Sequence, residues 1–143
     1  MEFKNWYILI IITILFSCNT SRHNNKGVQS AMNHYDHYIQ TMDVDSIALL
    51  YSPDGDLGEM AHGRDSIRKF LDKFKNFKVL SQTSTTKSIT KMRDSTLQKG
   101  LYHQTVIVPV NDTVTVKGEY SATWVWLSKR GWQLKRMETK PMK

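Results

Sequence analysis

The hydrophobic period of this chain changes once, near Val79, and that change limits the fold more than any other feature. Before it, apolar residues recur at spacings of three and four, the repeat of one helix face. Val28, Met32, Tyr35, Ile39 and Met42 make such a stripe, flanked by Ala31 and Tyr38, and predict an amphipathic helix over 28–42. Asp43 or Asp45 then caps a shorter helix reaching about Tyr51, with Ile47, Leu50 and Tyr51 as its apolar face. Ser52-Pro53-Asp54-Gly55-Asp56 reads as a break, because proline cannot continue a helix and Asp-Gly is a turn pair. A short extended piece over 57–62 leads to Gly63 and a third helix over 64–74, with Ile67, Phe70, Leu71 and Phe74 inward. From Val79 onward the period is two. Long strands are predicted over 78–92, 96–108, 113–128 and 132–139, joined by short turns such as Lys129-Arg130-Gly131. Sequential strands with short turns form an antiparallel meander. Helices first and strands afterwards predict an α+β layer in which the sheet covers the helices.

The N-terminal end carries a different message. Lys4 supplies a positive charge, Trp6 to Phe16 are Ile-rich and mostly apolar, and Leu15-Phe16-Ser17-Cys18 closes the run. A charged start, a short apolar core and a small residue before the cut are the parts of an export signal. The stretch is shorter than the about 20 residues of a bilayer span. A cysteine just after the cut resembles the lipobox of bacterial lipoproteins, in which that residue is acylated and becomes the new N-terminus. The resemblance implies a signal peptide over 1–17, lipidation at Cys18 and a flexible tether over 18–27, ahead of a domain over 28–140. It also implies export and attachment to the cell envelope. No run of acidic residues follows Cys18, which by the same resemblance points to the outer membrane, facing the periplasm. Cys18 is the only cysteine, so no disulfide framework is available to the mature domain.

Without residues 1–17 the chain is the size of one ordinary domain, able to fold without metal or bridge. The net charge is +7, unevenly spread. Between Gly27 and Gly63 there is no lysine or arginine, whereas from Arg64 to Lys143 seventeen basic residues face six acidic ones. No basic run is long enough for a nucleic-acid arm, so no nucleic-acid partner is expected and the excess reads as solvated surface.

Three local words then carry a family resemblance. Met42-Asp43-Val44-Asp45 running to Leu50-Tyr51, Gly63 with Ile67 and Phe70, and Gly131-Trp132-Gln133-Leu134 appear in order and at compatible spacing. They resemble the nuclear transport factor 2-like superfamily, which includes ketosteroid isomerase. The resemblance covers about 28–139 and implies a cone: three N-terminal helices packed on a curved antiparallel sheet of four strands plus one short strand. A pocket between the sheet and the first helices is implied as well. Counting from these words places Tyr35 where the isomerases keep an oxyanion-donating tyrosine and Glu59 where they keep a general base. Thr123 falls where they keep a protonated aspartate, which a threonine replaces only as a hydrogen-bond donor.

Such a site would be a proton-transfer isomerase or dehydratase, with a carboxylate on an apolar wall as base and Tyr35 stabilising the oxyanion. The plainer reading makes Tyr35 a core tyrosine of the first helix and Glu59 an exposed neighbour of Asp54 and Asp56. Tyr35, Tyr38, Glu59, Trp124 and Trp126 are the candidate pocket residues, and the aromatic side chains suggest a small hydrophobic ligand. Alternation puts Trp124 and Trp126 on one side of the sheet and Thr123, Val125 and Leu127 on the other, without saying which side faces the cavity. An exposed aromatic face would instead serve a partner, either as an envelope interaction module or as a homodimer through the sheet. His34, His37 and His62 do not converge by helical geometry, so no metal is expected, and no cofactor.

Overall fold

The computed structural model describes residues 24–143. Cys18, the export signal and the first part of the expected tether lie outside the described residues. Helix α1 runs Asn25–Thr41 and starts three residues before the apolar stripe, so positions 25–27 are helical rather than tether. Asn24 caps it, its side-chain oxygen accepting from the Gly27 N–H. At the other end Met42 adopts a left-handed conformation (φ 53°), and the Asp43 N–H donates to the Tyr38 carbonyl, the bonding of a Schellman turn. Helix α2, Val44–Leu50, is capped by Asp43, which accepts from both the backbone N–H and the hydroxyl of Ser46. Helix α3 runs Arg64–Asp72. It stops short of the expected Phe74, and tight turns continue from there, with the Phe74 N–H on the Leu71 carbonyl.

The sheet has six strands in the order β2-β1-β6-β5-β4-β3. The four long ones fall where the period of two places them: β3 Lys78–Lys91, β4 Thr96–Ile107, β5 Thr113–Leu127 and β6 Gly131–Pro141. The short piece is β2, Ala61–His62. One strand is additional. Residues Tyr51–Leu57, expected to be a helix end followed by a break, form β1, which pairs parallel with β6 and antiparallel with β2. The proline and glycine that suggested a turn sit in a stretch where the β1–β6 ladder skips from Tyr51 to Asp56. Gly55 is there for another reason: a β-carbon would stand 2.8 Å from the Leu134 carbonyl oxygen. All other pairings are antiparallel, and the sheet is curved and unclosed.

The expected stripe is the buried face of α1: Val28, Met32, Tyr35 and Ile39 are all inside, and α1 packs chiefly on β3. Ile47, Ile67, Trp124, Leu134 and Met137 complete one core, each burial contributing roughly 1.5–3 kcal/mol. A polar chain ties the layers together within it. The Trp124 indole N–H donates to Gln98 Oε1 (2.9 Å), Gln98 Nε2 to Thr86 Oγ1 (2.8 Å), and the Thr86 hydroxyl to Gln29 Oε1 (2.6 Å). Strands β3, β4 and β5 are thereby pinned to α1. Among the described residues no helix is long and apolar enough to cross a membrane.

Candidate functional site

The cone is filled at one end and hollow at the other. At the filled end Trp126 and Trp132 meet edge to face with centroids 5.5 Å apart, and Gly27 lies so close that a β-carbon would come 2.6 Å from the Trp132 ring nitrogen. At the other end a cavity of about 330 Å³ opens between α1, the end of α3 and the inner face of the sheet.

Each wall follows from a local pattern. Tyr35 and Ile39 belong to the α1 stripe and Met42 to its left-handed cap. Phe70 comes from the inner face of α3, and Phe74 and Phe77 from the turns after it, with successive rings about 5.4 and 5.3 Å apart. The sheet supplies its inward register: Gln82 and Ser84 on β3, facing Gln104 and Tyr102 on β4. Tyr120 and Val116 on β5 and Met137 and Thr139 on β6 complete it. Among the described residues the wall is aromatic and aliphatic, with hydroxyls and amides as its polar groups and no carboxylate or cation.

Burial acts on the tyrosines. It raises the Tyr35 phenol to about 12, helped by the negative charge of Asp36, while a contact with the Tyr51 phenol works the other way. Tyr51, one layer deeper, is pushed well above the ordinary tyrosine value by burial and by Tyr35. Its oxygen is sealed from water and reaches no partner at full hydrogen-bonding geometry, so the Tyr35 phenol beside it is its polar neighbour. Tyr102 and Tyr120 are raised in the same way, chiefly by burial. Four phenols thus stay protonated through the neutral range and act as neutral hydrogen-bonding groups.

The expected site residues scatter. Tyr35 lines the cavity. Tyr38 does not line it; half-buried on α1, its ring stacks at a tilt on His34 and His37. Glu59 is outside: its side chain is 92% exposed and its carboxylate takes the Arg136 guanidinium. The reason is the β1–β2 turn, in which Gly58 has φ +52° and the inward positions go to Leu57 and Met60. Arg136 also reaches Asp56 and Glu138, so Glu59 belongs to a surface ion network rather than to an apolar wall. Thr123 lies opposite Leu97 and Arg136 on the outer face, since its neighbours Ala122 and Trp124 are the inward, fully buried ones. Trp124 is sealed in the core on Gln98, and Trp126 lies at the filled end; both face inward yet neither borders the cavity. Among the described residues no three His, Asp or Glu side chains gather as metal ligands.

The sequence reading passed over Gln82, Ser84 and Asp36. For Gln82 and Ser84 the signal was present in the inward register of β3, where polar residues occupy positions that a plain core would make apolar. Asp36 receives three hydrogen bonds there: Gln82 Nε2 at 3.0 Å, the Ser84 N–H at 2.8 Å and the Ser84 hydroxyl at 2.6 Å.

No protein-family model matches the chain, and no curated protein matches it. Solved structures do. A ketosteroid isomerase-like protein from Erwinia carotovora atroseptica superposes with a TM-score of 0.72 at 16% identity, over 82% of this chain and 95% of that one. A nuclear transport factor 2-like superfamily protein from Salmonella enterica gives 0.68 at 14% identity, over 82% and 90%. A protein from Catenulispora acidiphila, solved in complex with S-DNPA, gives 0.70 at 13% identity, over 81% and 91%. At these identities the likeness is one of architecture, and the architecture is the α+β cone of the nuclear transport factor 2-like and ketosteroid isomerase-like proteins.

Proposed function

We propose that this chain is an exported, lipid-anchored protein whose cone takes up a small hydrophobic ligand. The observation that carries the ligand reading is the cavity wall: aromatic rings, methionines and neutral hydrogen-bonding groups around about 330 Å³, with no carboxylate or cation among the described residues. A neighbour of the same architecture was solved in complex with S-DNPA, which supports the reading. The anchor reading is supported by the basic start, the short apolar core and Cys18. Two or more acyl chains on that residue would hold the domain stably at a membrane surface.

A proton-transfer enzyme finds less support. Of its three expected groups only Tyr35 borders the cavity, and Glu59 is engaged on the surface by Arg136. A partner-binding module loses its aromatic face, because Trp124, Trp126 and Trp132 turn inward. One preparation tests both halves of the proposal. Native mass spectrometry of the protein isolated from membranes is expected to show a copurifying small molecule at one per chain. Cys18→Ala is expected to move the protein from the membrane to the soluble fraction. A chain that carries nothing and saturates with no hydrophobic probe refutes the ligand; an unchanged membrane fraction refutes the anchor.

A further inference from the structure

One wall of the cavity has a fixed hydrogen-bonding sense, and Asp36 sets it. Its carboxylate is half-buried behind β3 and accepts from three donors. Among the described residues the Ser84 hydroxyl, 2.6 Å away, has no other acceptor, so its single proton points at Asp36. What Ser84 turns elsewhere is lone pairs only. Gln82 behaves alike. Its amide nitrogen is drawn to Asp36, which fixes the amide orientation and leaves Oε1 with no protein partner among the described residues. Both residues border the cavity. The wall therefore offers acceptors, and a negative charge lies just behind it. That charge also acts, after burial, on Tyr35, its neighbour along α1, and on Tyr120, both of which border the cavity.

We infer that the cavity selects a ligand carrying a hydroxyl or N–H donor on an otherwise apolar, uncharged frame, with Ser84 and Gln82 as acceptors and Asp36 as the positioning residue behind them. A cation would also suit the charge, but an apolar cavity with no carboxylate on its surface leaves an ion poorly solvated. A ligand with acceptors alone would set oxygen against oxygen at this wall. This inference rests on the ligand-pocket reading and adds polarity to it.

The probes are 2-naphthol and 2-methoxynaphthalene, nearly equal in shape, of which only the first has a donor. In a cavity indifferent to hydrogen bonding the ether binds better, because it forfeits no donor bond to water on entry. Saturable binding of each is measured on the full chain in detergent micelles, against protein-free micelles. The ratio of the two affinities, compared between parent and variants, cancels the partitioning of each probe into detergent. The parent is expected to favour the naphthol about tenfold, the order of one charge-assisted hydrogen bond. Asp36→Asn frees the Ser84 hydroxyl to donate, and Ser84→Ala removes that acceptor, so each is expected to bring the ratio to one or below. Ser84→Thr keeps a hydroxyl in the same place and is expected to restore the preference. A parent that does not favour the naphthol, or a preference that survives either Asp36→Asn or Ser84→Ala, overturns the inference while the pocket stands. Saturable binding of neither probe overturns the pocket reading and this one with it.

Discussion

Tyr35 serves two layers of the molecule at once. Its side chain belongs to the buried stripe of α1 and borders the cavity, and its phenol meets that of Tyr51. Burying two phenols together makes the fold sensitive to base, and the sign follows from the shifts. Both folded values are raised, that of Tyr35 to about 12 from an ordinary 10.0. Below pH 10 each phenol is protonated whether the chain is folded or not, and the stability they contribute is fully present. Above it the unfolded chain loses protons first, so stability drains as pH climbs towards about 12. The urea midpoint is expected to fall over that window, and Tyr35→Phe is expected to flatten the fall while leaving neutral-pH stability within about 1 kcal/mol. A parent and a Tyr35→Phe variant with parallel alkaline profiles would dissociate this phenol from the effect. The same scale shows why the sequence put Tyr35 on an inner face but left Glu59 open between an apolar wall and an exposed place beside Asp54 and Asp56. A helix position is fixed by a periodic stripe, whereas Glu59 sits in a turn where a single positive φ at Gly58 decides which way its neighbour points. Counting residues carries no information about that angle.

At the scale of elements, pattern reading succeeded wherever one face was buried over several turns or pleats. The α1 stripe, the Asp43 cap and the four long strands are of that kind. It failed over Tyr51–Leu57, where Pro53, Asp54 and Gly55 describe a turn to any local rule. What makes them a strand is distant: the parallel pairing to β6, the close approach of Leu134 to Gly55, and the burial of Tyr51 and Leu57. Trp124 is a milder case. Alternation placed it correctly beside Trp126, but only its bond to Gln98 and its register with Leu134 reveal which face is inside. Two glycines elsewhere serve the cavity. Gly100 faces Tyr120 across β4 and β5, and Gly118 faces Tyr102, so each ring lies over a neighbour with no side chain. A β-carbon on Gly100 would fall 2.1 Å from the Thr85 carbonyl oxygen and 2.7 Å from the Tyr120 ring. The first of these is backbone and cannot swing away. Gly100→Ala is expected to destabilise by about 1–3 kcal/mol, the usual range for overpacking, read as a lower urea midpoint at unchanged slope. Loss of less than about 0.5 kcal/mol would mean that β3 shifts freely there.

For the molecule as a whole, the order of strands in space differs from their order along the chain. The last strand, β6, lies between β5 and β1 and, among the described residues, is the only strand that joins the β1–β2 ribbon to the rest of the sheet. It also carries Leu134 and Met137 into the core. A chain ending at Ser128 would keep the β3–β4–β5 meander but leave β1 with no ladder except two residue pairs to β2. Its helices would have half a wall to pack on. Such a chain is expected to show no cooperative urea transition by far-ultraviolet circular dichroism and to associate through the uncovered edge of β5. A chain ending at Thr139 retains the ladder from Tyr120 and Thr139 back to Leu127 and Gly131 and loses only the last pairings, at Glu119 and Gly118. It is expected to unfold cooperatively with a midpoint near that of the parent. The two truncations differ by the two turn residues Lys129 and Arg130 and nine residues of β6, so the contrast between them isolates the central position of β6 from mere shortening. A sharp transition in the shorter chain would mean that the three-stranded meander and α1 form a domain without β1, and the cavity would then be a feature added to the fold rather than the space its closure leaves.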